Sequence, residues 1–391
     1  MTLNRQGALA AVAVTALATT IVASSPAAAE HHPATGAVQA ELDLLTTVDR
    51  VPGALAQVRD RHGRSVTITS GTAELGTGRP MVSGTGRFRI ASVTKPFTAV
   101  AVLRLVADHR VALDAPIETY LPGVVRGTGA GAEIDGHDIT VRQLLQHTSG
   151  LPNYVNYLDR SDPLRRVEPI ELVRLALSHR PDFAPGQSWH YTNTGFILAG
   201  MLVERLTGKD IGTAVTDLVI RPAGLRDTYW PPTGEIGIRG PHAHNYTLDP
   251  ANPQGPLVDA TDFEPSLAGA AGAMVSTPSD LNRLWRELLD GRLLPDRMLA
   301  EMTTTVPAPD FGPGLAYGLG LFQIPLSCGG HAWGHAGDLP GVSNVTARDG
   351  AGREATVYLT ANTGAQASNR LRHTIDLALC ATGRDRVDLA A

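Results

Sequence analysis

The chain has 391 residues, 43% of them hydrophobic, and a formal net charge of −5. Since domains average roughly 150 residues, this length allows two domains or one large one with a sizeable core. The balanced charge excludes the long basic or acidic tracts that are typical of nucleic-acid-binding segments and charged tails, so we expect no nucleic-acid partner.

The N-terminus has the features of a secretory signal peptide. Arg5 precedes an apolar run over residues 8–22, and residues 27–29 supply the small-residue cleavage pattern. The run is shorter than the ~20 residues that a transmembrane helix usually needs, and no comparable run follows it. We therefore predict a signal peptide over residues 1–29, a single domain over residues 30–391, and a secreted monomer without a membrane anchor.

Periodicity places strands at both ends of the chain and helices in its middle. The predicted strands cover residues 54–59, 65–69, 317–322 and 355–361. The predicted helices cover residues 41–48, 92–109, 141–146, 169–178, 195–206, 217–220 and 370–380, and another begins after the Thr277-Pro278 cap. Residues 231–256 are rich in proline, glycine and asparagine and are predicted to be a loop.

This order of elements predicts an α/β fold of the α+β type. One sheet would be built from both ends of the chain and flanked by helices. A mostly helical subdomain, roughly residues 105–275, would be inserted between the two sets of strands. A cleft between two such regions is a natural place for a site.

Lys95 is conspicuous because only two of the 33 basic residues, Lys95 and Lys209, are lysines. A buried lysine can give up its proton, whereas an arginine cannot. Ser92 lies three residues earlier, so on a helix the two side chains share one face, and a serine beside a deprotonatable base is an activated nucleophile. The alternative is a helix start with Ser92 as N-cap and Lys95 on a solvated face. The largely apolar flanks, residues 88–90 and 96–103, favour catalysis.

A second motif contains Tyr191 and Asn193. The two residues alternate about Thr192, so in an extended segment their side chains point the same way. A phenol near a lysine could relay protons, and an amide could orient the lysine and hold a substrate carbonyl. The alternative, which this motif alone would favour, is a core aromatic followed by an asparagine that caps the helix beginning near Gly195.

A third motif places His335 between Gly334 and Gly337. Glycines on a strand allow close backbone approach, so the strand edge could present its N–H groups to an oxyanion. The alternative is a turn with a core or surface histidine. The chain contains no G-x-S-x-G, which argues against an ordinary nucleophile-elbow hydrolase.

Neither metals nor other cofactors are predicted. The pairs His331/His335 and His242/His244 lack the neighbouring cysteines or acidic cluster of a zinc site. The two cysteines of the chain suggest a disulfide if the protein is exported, and the alternative is a pair of buried thiols.

The three motifs, at residues 92–95, 191–193 and 335–337, together resemble the signature of the penicillin-recognising serine hydrolases. Their order and spacing are similar to those of class C β-lactamases and of secreted D-alanyl-D-alanine carboxypeptidases of Streptomyces type. Further similar segments are residues 144–151, 200–208, 318–321, 327–329 and 360–363. The resemblance implies a β-lactamase/transpeptidase-like catalytic domain with an antiparallel sheet flanked by helices, and it supports a Cys328–Cys380 disulfide.

The resemblance also implies a catalytic cycle. Ser92 Oγ would attack a carbonyl and form an acyl-enzyme that water then releases. The general base would be Lys95, Tyr191 or both. Asn193 would position Lys95 and the substrate amide.

The remaining site residues would lie along the strand of the third motif. His335 would contribute positive charge or a hydrogen bond to the site. Gly337 lies on the same strand, directly before Asp338. The backbone N–H groups of Ser92 and Asp338 would form the oxyanion hole.

Two departures bear on the substrate. The similar carboxypeptidases hold the terminal carboxylate with a threonine and an arginine at the positions of Ala336 and Phe322. Losing both removes charge-assisted hydrogen bonds to a carboxylate.

Three hypotheses about function follow from the resemblance. The first is an exported D-alanyl-D-alanine carboxypeptidase-type hydrolase. The second is a β-lactamase-like esterase or D-peptidase that needs no free carboxylate. The third is a penicillin-binding sensor that acylates without turnover. The expected substrates are small peptides, esters or β-lactams.

Overall fold

The computed structural model describes residues 33–159, 161–249 and 252–380. The predicted signal peptide, residues 1–29, lies outside this part of the chain. The division of the chain into a signal peptide and one domain therefore stays a prediction.

Most strands form one antiparallel sheet. The strands, numbered along the chain, are β1 (Gly53–Arg59), β2 (Ser65–Gly71), β3 (Phe88–Arg89), β4 (Tyr246–Asp249), β5 (Asn252–Asp259), β6 (Val275–Ser276), β7 (Val306–Pro307), β8 (Ala316–Tyr317), β9 (Phe322–Pro325), β10 (His331–Leu339), β11 (Val342–Asp349), β12 (Glu354–Leu359) and β13 (Ala361–Asn362). The sheet order is β2-β1-β12-β11-β10-β9-β8-β7, so the first strands pair with the last ones, as the sequence predicts.

Helices cover both faces of this sheet. They are α1 (Pro33–Thr47), α2 (Thr94–Ala107), α3 (Val141–Gln146), α4 (Pro169–Leu177), α5 (Thr194–Thr207), α6 (Ile211–Val215), α7 (Gly269–Gly272), α8 (Pro278–Leu289), α9 (Asp296–Thr303) and α10 (Ala365–Cys380). Helices α1 and α10 pack together and share a core with β1, β11 and β12. Helix α8 also packs on β11 and β12, and every residue of β12 is buried.

The larger core joins the sheet to the helices of the middle of the chain. It includes side chains of α2, α3, α4 and α5 together with those of α8. Helix α2 packs on α5 and α7, and α3 packs on α5. This packing places the turn that carries Ser92, directly before α2 and Lys95, beside strand β10.

Two sequence predictions about local structure are wrong. Residues 231–256, predicted to be a loop, include β4 and the start of β5, which pair with each other, and β4 also pairs with β13. The pairing Ala361↔Tyr246 is long-range, so no local pattern signals it. The predicted strand 317–322 is instead a tight turn between β8 and β9, because Gly320 adopts a left-handed φ of 85°.

The chain's two cysteines form the predicted disulfide. Cys328 lies in the turn between β9 and β10, and Cys380 is the last residue of α10, with their Cα atoms 5.5 Å apart. The bond therefore ties the β9–β10 turn to the closing helix. Within the described ranges, none of the helices has the length and apolar character that a membrane crossing requires.

Candidate active site

Ser92 is presented by a strained junction between strand β3 and helix α2. A single 3₁₀ turn, Ala91–Val93, joins the two elements, and Ala91 has a left-handed φ of 51°. Such a conformation is uncommon for a residue with a side chain and is often found beside functional groups. It sets the nucleophile at the start of α2 rather than within it.

Strand β10 passes close to this junction because Gly337 has no side chain. A Cβ at this position would lie 2.3 Å from the carbonyl oxygen of Ile90 and 3.0 Å from the Cβ of Ala91. Asn344 on β11 holds the same junction, since its Nδ2 donates to the carbonyl oxygens of Ile90 and Gly337 at 3.3 and 3.1 Å. Ser92 therefore lies against β10, as the sequence predicts.

Lys95 is completely buried and is surrounded by three oxygen atoms. Its Nζ lies 2.7 Å from Asn193 Oδ1, 2.9 Å from the carbonyl oxygen of Ala271 and 2.9 Å from Ser92 Oγ. The amide and backbone oxygens can only accept hydrogen bonds, whereas the serine hydroxyl can also donate. An ammonium would donate to all three oxygens, as the contacts stand, whereas a neutral amine would donate to the two carbonyls and keep a lone pair for the serine. Only the neutral amine can take up the Ser92 proton.

Electrostatics favours the same protonation state. Burial lowers the pKa of Lys95 well below its ordinary value, because the ammonium form loses its hydration. An arginine at this position would stay charged, because its guanidinium does not lose its proton in a protein. We name the four residues Ser92, Lys95, Asn193 and Ala271 the lysine pocket.

Asn193 orients Lys95 instead of capping a helix. It occupies the N-cap position of α5, yet its side chain makes no capping hydrogen bond. Its Nδ2 donates to Asn153 Oδ1 at 3.2 Å, and so does its backbone N–H. Because Asn153 holds the NH₂ end of the amide, the oxygen end faces Lys95.

Helix α7 supplies the backbone acceptor of the pocket. Thr98 Oγ1 on α2 donates to the carbonyl oxygen of Ala270 at 2.9 Å, which ties α7 to the helix of the nucleophile. On its other side, α7 touches α5 at Gly200, where a Cβ would come within 2.5 Å of the Cβ of Ala270. These close contacts fix the neighbouring carbonyl of Ala271 against Lys95.

Tyr191 completes the contacts of the nucleophile. Its hydroxyl lies close enough to Ser92 for the serine to influence its pKa, and the centroid of its ring lies 4.8 Å from Lys95 Nζ. Burial raises the pKa of the Tyr191 phenol, so it remains protonated at neutral pH. Of the two candidate general bases, the environment therefore favours the amine of Lys95.

His335 is buried and uncharged. Its Nδ1 lies 2.5 Å from the carbonyl oxygen of Ala336, and its Nε2 lies 3.1 Å from the Tyr317 hydroxyl. Burial lowers the pKa of His335 to about 3. Of its two expected contributions, positive character and a hydrogen bond, only the second fits a neutral imidazole.

The end of β10 provides an accessible strand edge. Strand β9 pairs with β10 only as far as Gly334, which lies opposite Phe322. Residues 335–339 therefore continue past β9 along the side that faces Ser92. Asp338 belongs to this stretch, and its Oδ1 accepts a hydrogen bond from Ser343 Oγ at 2.5 Å.

Aromatic rings line the site beside β9. Phe322 is buried, and its ring centroid lies 4.5 Å from that of Tyr317, 5.0 Å from that of Phe311 and 5.1 Å from that of His335. Trp189 packs against Phe311 and Tyr317 at 5.8 Å in each case. We name Trp189, Phe311, Tyr317 and Phe322 the aromatic wall. Ala336, the other departure from the carboxypeptidase pattern, packs partly against the core under α1 and α10.

Several residues of the site were not found from the sequence. They are Asn153, Ala271, Trp189, Phe311, Tyr317 and His147. Each lies outside the three motifs and reaches the site through tertiary packing. Only His147 has a local signal, since it follows α3 with a left-handed φ of 63° in the segment 144–151 that shares the family resemblance.

His147 packs against the segment that carries Tyr191. It is fully buried, its ring centroid lies 4.3 Å from that of Tyr191, and its Nδ1 accepts from the Thr192 backbone N–H at 3.3 Å. Burial lowers the pKa of His147 well below its ordinary value, so the ring is neutral.

The histidine pairs considered for a metal have other partners. His244 Nδ1 lies 2.7 Å from Asp259 Oδ2, and His242 Nδ1 lies 2.7 Å from the carbonyl oxygen of Gly240. Within residues 33–159, 161–249 and 252–380, no group of three or more histidine, cysteine, aspartate or glutamate side chains is arranged to hold a metal ion.

Comparison with known proteins agrees with this geometry. Residues 40–380 match the family model described as Beta-lactamase. Esterase EstB of Burkholderia gladioli is 40% identical over 201 residues, which are 49% of this chain and 50% of the esterase. Penicillin-binding protein 4 of Amycolatopsis lactamdurans is 30% identical over 262 residues, which are 66% of this chain and 65% of that protein. The matched regions thus span about half to two thirds of these relatives.

Solved structures match over more of their length. A D-stereospecific amidohydrolase from Streptomyces sp. is 39% identical, with a TM-score of 0.77, over 90% of this chain and 99% of that one. The D-amino acid amidase from Ochrobactrum anthropi SV3 is 29% identical, with a TM-score of 0.76, over 89% of this chain and 98% of that one. The predicted β-lactamase/transpeptidase-like fold is therefore confirmed. Since the family model spans most of the chain, the protein belongs to the beta-lactamase family, which is a family of penicillin-recognising serine hydrolases.

Proposed function

We propose that the protein hydrolyses esters and amides of small substrates, D-amino acid derivatives among them, through an acyl-enzyme on Ser92 and without needing a free carboxylate. The observation that carries this proposal is the contrast between a complete lysine pocket and a neutral aromatic wall. The pocket supports acyl transfer, and the wall offers no cation to a carboxylate.

The first half of the reaction forms the acyl-enzyme. Ser92 Oγ attacks the substrate carbonyl carbon while its proton passes to the neutral amine of Lys95. The backbone N–H groups of Ser92 and Asp338 stabilise the oxyanion, each contributing about 3–4 kcal/mol where such donors have been tested. As the bond to the leaving group breaks, the proton reaches that group through the Tyr191 hydroxyl, and Lys95 returns to its neutral form.

The second half releases the acyl group. A water molecule attacks the ester carbonyl of acylated Ser92, and its proton passes through Tyr191 or directly to Lys95. The tetrahedral intermediate collapses, Ser92 Oγ takes up the proton, and the carboxylic acid leaves. The residues thus return to their starting protonation states.

The relatives support the choice of an ester or amide substrate. They include an esterase, a D-stereospecific amidohydrolase and a D-amino acid amidase by name. At the two positions that the carboxypeptidases use for the carboxylate, this chain has the buried ring of Phe322 and the methyl group of Ala336. A carboxylate placed there would lose hydrogen bonds to a charged partner, which are worth about 1.5–3 kcal/mol each.

The second candidate is a D-alanyl-D-alanine carboxypeptidase, and the similarity to penicillin-binding protein 4 favours it. A rate panel separates the candidates, using a D-Ala-D-Ala peptide, a D-amino acid amide, a short-chain nitrophenyl ester and a chromogenic cephalosporin. Our proposal predicts a higher kcat/KM for the ester and the amide than for the peptide. A large preference for the peptide would establish the carboxypeptidase, and acylation without turnover on every substrate would establish the sensor.

We also propose that the protein is exported and monomeric. The N-terminal pattern and the Cys328–Cys380 disulfide support export, because such bonds persist in oxidising compartments. Mass spectrometry of protein recovered outside the cytoplasm should find a new N-terminus at Glu30, and light scattering should give the mass of one chain.

A further inference from the structure

We propose that Phe311 selects substrates that carry an uncharged, apolar group beside the scissile bond. The inference rests on the proposed function and names the substrate class of the same site. Its basis is an exposed aromatic ring that packs directly on Tyr191 of the catalytic site.

Phe311 is joined to the reacting atoms by one intermediate ring. Its centroid lies 5.2 Å from that of Tyr191. The same Tyr191 ring lies 4.8 Å from Lys95 Nζ. A group held on Phe311 would therefore lie one ring away from the residues that act on the scissile bond.

Exposure distinguishes Phe311 from the rest of the aromatic wall. Its relative exposure is 43%, whereas Trp189 is 7% and Phe322 is 3% exposed. The buried rings support one side of Phe311, and the other side faces solvent. Exposed apolar surface at the rim of a concave site commonly marks the place where an apolar part of a ligand binds.

The loop that carries Phe311 continues this apolar surface. Its residues line an open depression of about 360 Å³, and the lining consists of prolines, glycines, Leu315 and Ala316. No lining residue of this depression is charged.

The acidic residue next to the ring disfavours an anionic substrate. Asp310, directly before Phe311, is exposed. The two imidazoles of the site, His147 and His335, are neutral because burial lowers the pKa of each. An apolar group without a negative charge is thus the chemistry that fits this surface.

Two matched substrate series test the inference on the full mature protein. One compares D-phenylalanine amide with D-alanine amide, which differ on the acyl side. The other compares the benzyl and methyl esters of D-alanine, which differ on the leaving-group side. We expect the wild type to prefer the aromatic member in at least one series, with about a tenfold higher kcat/KM, because a buried ring adds apolar contact area.

Variants assign the preference to Phe311. Phe311→Ala should lower the ratio of kcat/KM values in that series by threefold to tenfold, since one aromatic contact is lost. Phe311→Trp should keep the preference. Val258→Ala removes a comparably exposed apolar side chain from β5 and should leave both the ratio and the activity unchanged. Equal melting temperatures would confirm that all variants are folded.

The outcomes separate this inference from the proposed function. If all four substrates are hydrolysed with Ser92 required, but without a preference or with one that Phe311→Ala leaves intact, the selectivity inference is overturned and the proposed function stands. If none is hydrolysed in a Ser92-dependent way, the proposed function fails, and the inference fails with it.

Discussion

The lysine pocket and the aromatic wall lie side by side but are built in different ways. In the pocket, Lys95 Nζ has three oxygen partners within 2.9 Å, so each polar group has one arrangement. The wall is held by ring contacts of 4.5–5.8 Å around Phe322 and Phe311, and one of these rings is exposed. A hydrogen-bonded network tolerates few substitutions, whereas apolar packing tolerates many. The lysine pocket should therefore determine which reaction is catalysed, and the aromatic wall should determine which substrates are preferred.

Substitution of Lys95 is the most severe test of the claim that the lysine pocket determines the chemistry. Lys95→Arg should be nearly as damaging as Lys95→Ala, with kcat lowered about 10²- to 10⁴-fold, because arginine keeps the charge but cannot accept the proton. Steady-state kinetics on the nitrophenyl ester would measure it. Lys209→Arg is the matched control, since Lys209 is exposed and forms an ion pair with Asp217. If Lys95→Arg kept most of the activity, Tyr191 would become the general base.

The pH dependence of kcat/KM also tests whether Lys95 is the general base. Burial lowers the pKa of Lys95, so the amine becomes neutral and active at a lower pH than an ordinary lysine would, and it becomes an inactive ammonium when the pH falls through the lowered pKa. We expect kcat/KM to be level above that pKa and to fall about tenfold per pH unit below it. This limb reports Lys95 coupled to its neighbours. An activity that rises only near pH 10 would instead indicate an ordinary lysine or a tyrosinate base.

Substitutions at Phe322, in the aromatic wall, and at Ala336 should change the substrate preference without abolishing acyl transfer. Ala336→Thr combined with Phe322→Arg should raise kcat/KM on a D-Ala-D-Ala peptide by about tenfold relative to the ester, because it restores charge-assisted hydrogen bonds to a carboxylate. The ratio of the two rates is the measurement. A wild type that already prefers the peptide by a large margin would show that another group binds the carboxylate.

The disulfide ties the turn beside the wall to α10, and its removal should have the smallest effect on activity. Cys328→Ser with Cys380→Ser should lower the free energy of unfolding by roughly 4 kcal/mol, as the chain-entropy model gives for a 52-residue separation. The ester kcat should stay within about twofold, since the pocket lies on other elements. Urea unfolding and the ester assay check both parts. An unchanged stability would contradict the stabilising role of the bond.

The sequence predicted the pocket better than the wall. Ser92 and Lys95 are three residues apart across the 3₁₀ turn and the first turn of α2, and Tyr191 and Asn193 are two apart, so local geometry alone brings each pair together. Asn153 and the carbonyl of Ala271 reach the pocket only through the packing of α7 and the 3₁₀ turn after Asn153, which no short-range pattern describes. The sequence also left the cap role of Asn193 open, and the structure excludes it.

The wall was missed because its members come from separate segments. Trp189, Phe311 and Tyr317 meet only when the turn at Gly320 packs against α2, where a Cβ on that glycine would lie 2.6 Å from the Cβ of Ala99. The periodic pattern of residues 317–322 predicted one strand and concealed this turn. The pairing of β4 with β13 was missed for the same reason, since it joins residues that are more than a hundred positions apart.

The central claim is that Ser92 carries the acyl group, and intact-protein mass spectrometry after an acid quench tests it most directly. Incubation with benzylpenicillin, or brief mixing with the nitrophenyl ester, should add one acyl mass per chain, and peptide mapping should place it on Ser92. Ser92→Ala should acquire none. An adduct on another residue, an adduct that persists in Ser92→Ala, or no adduct with either reagent would contradict the account.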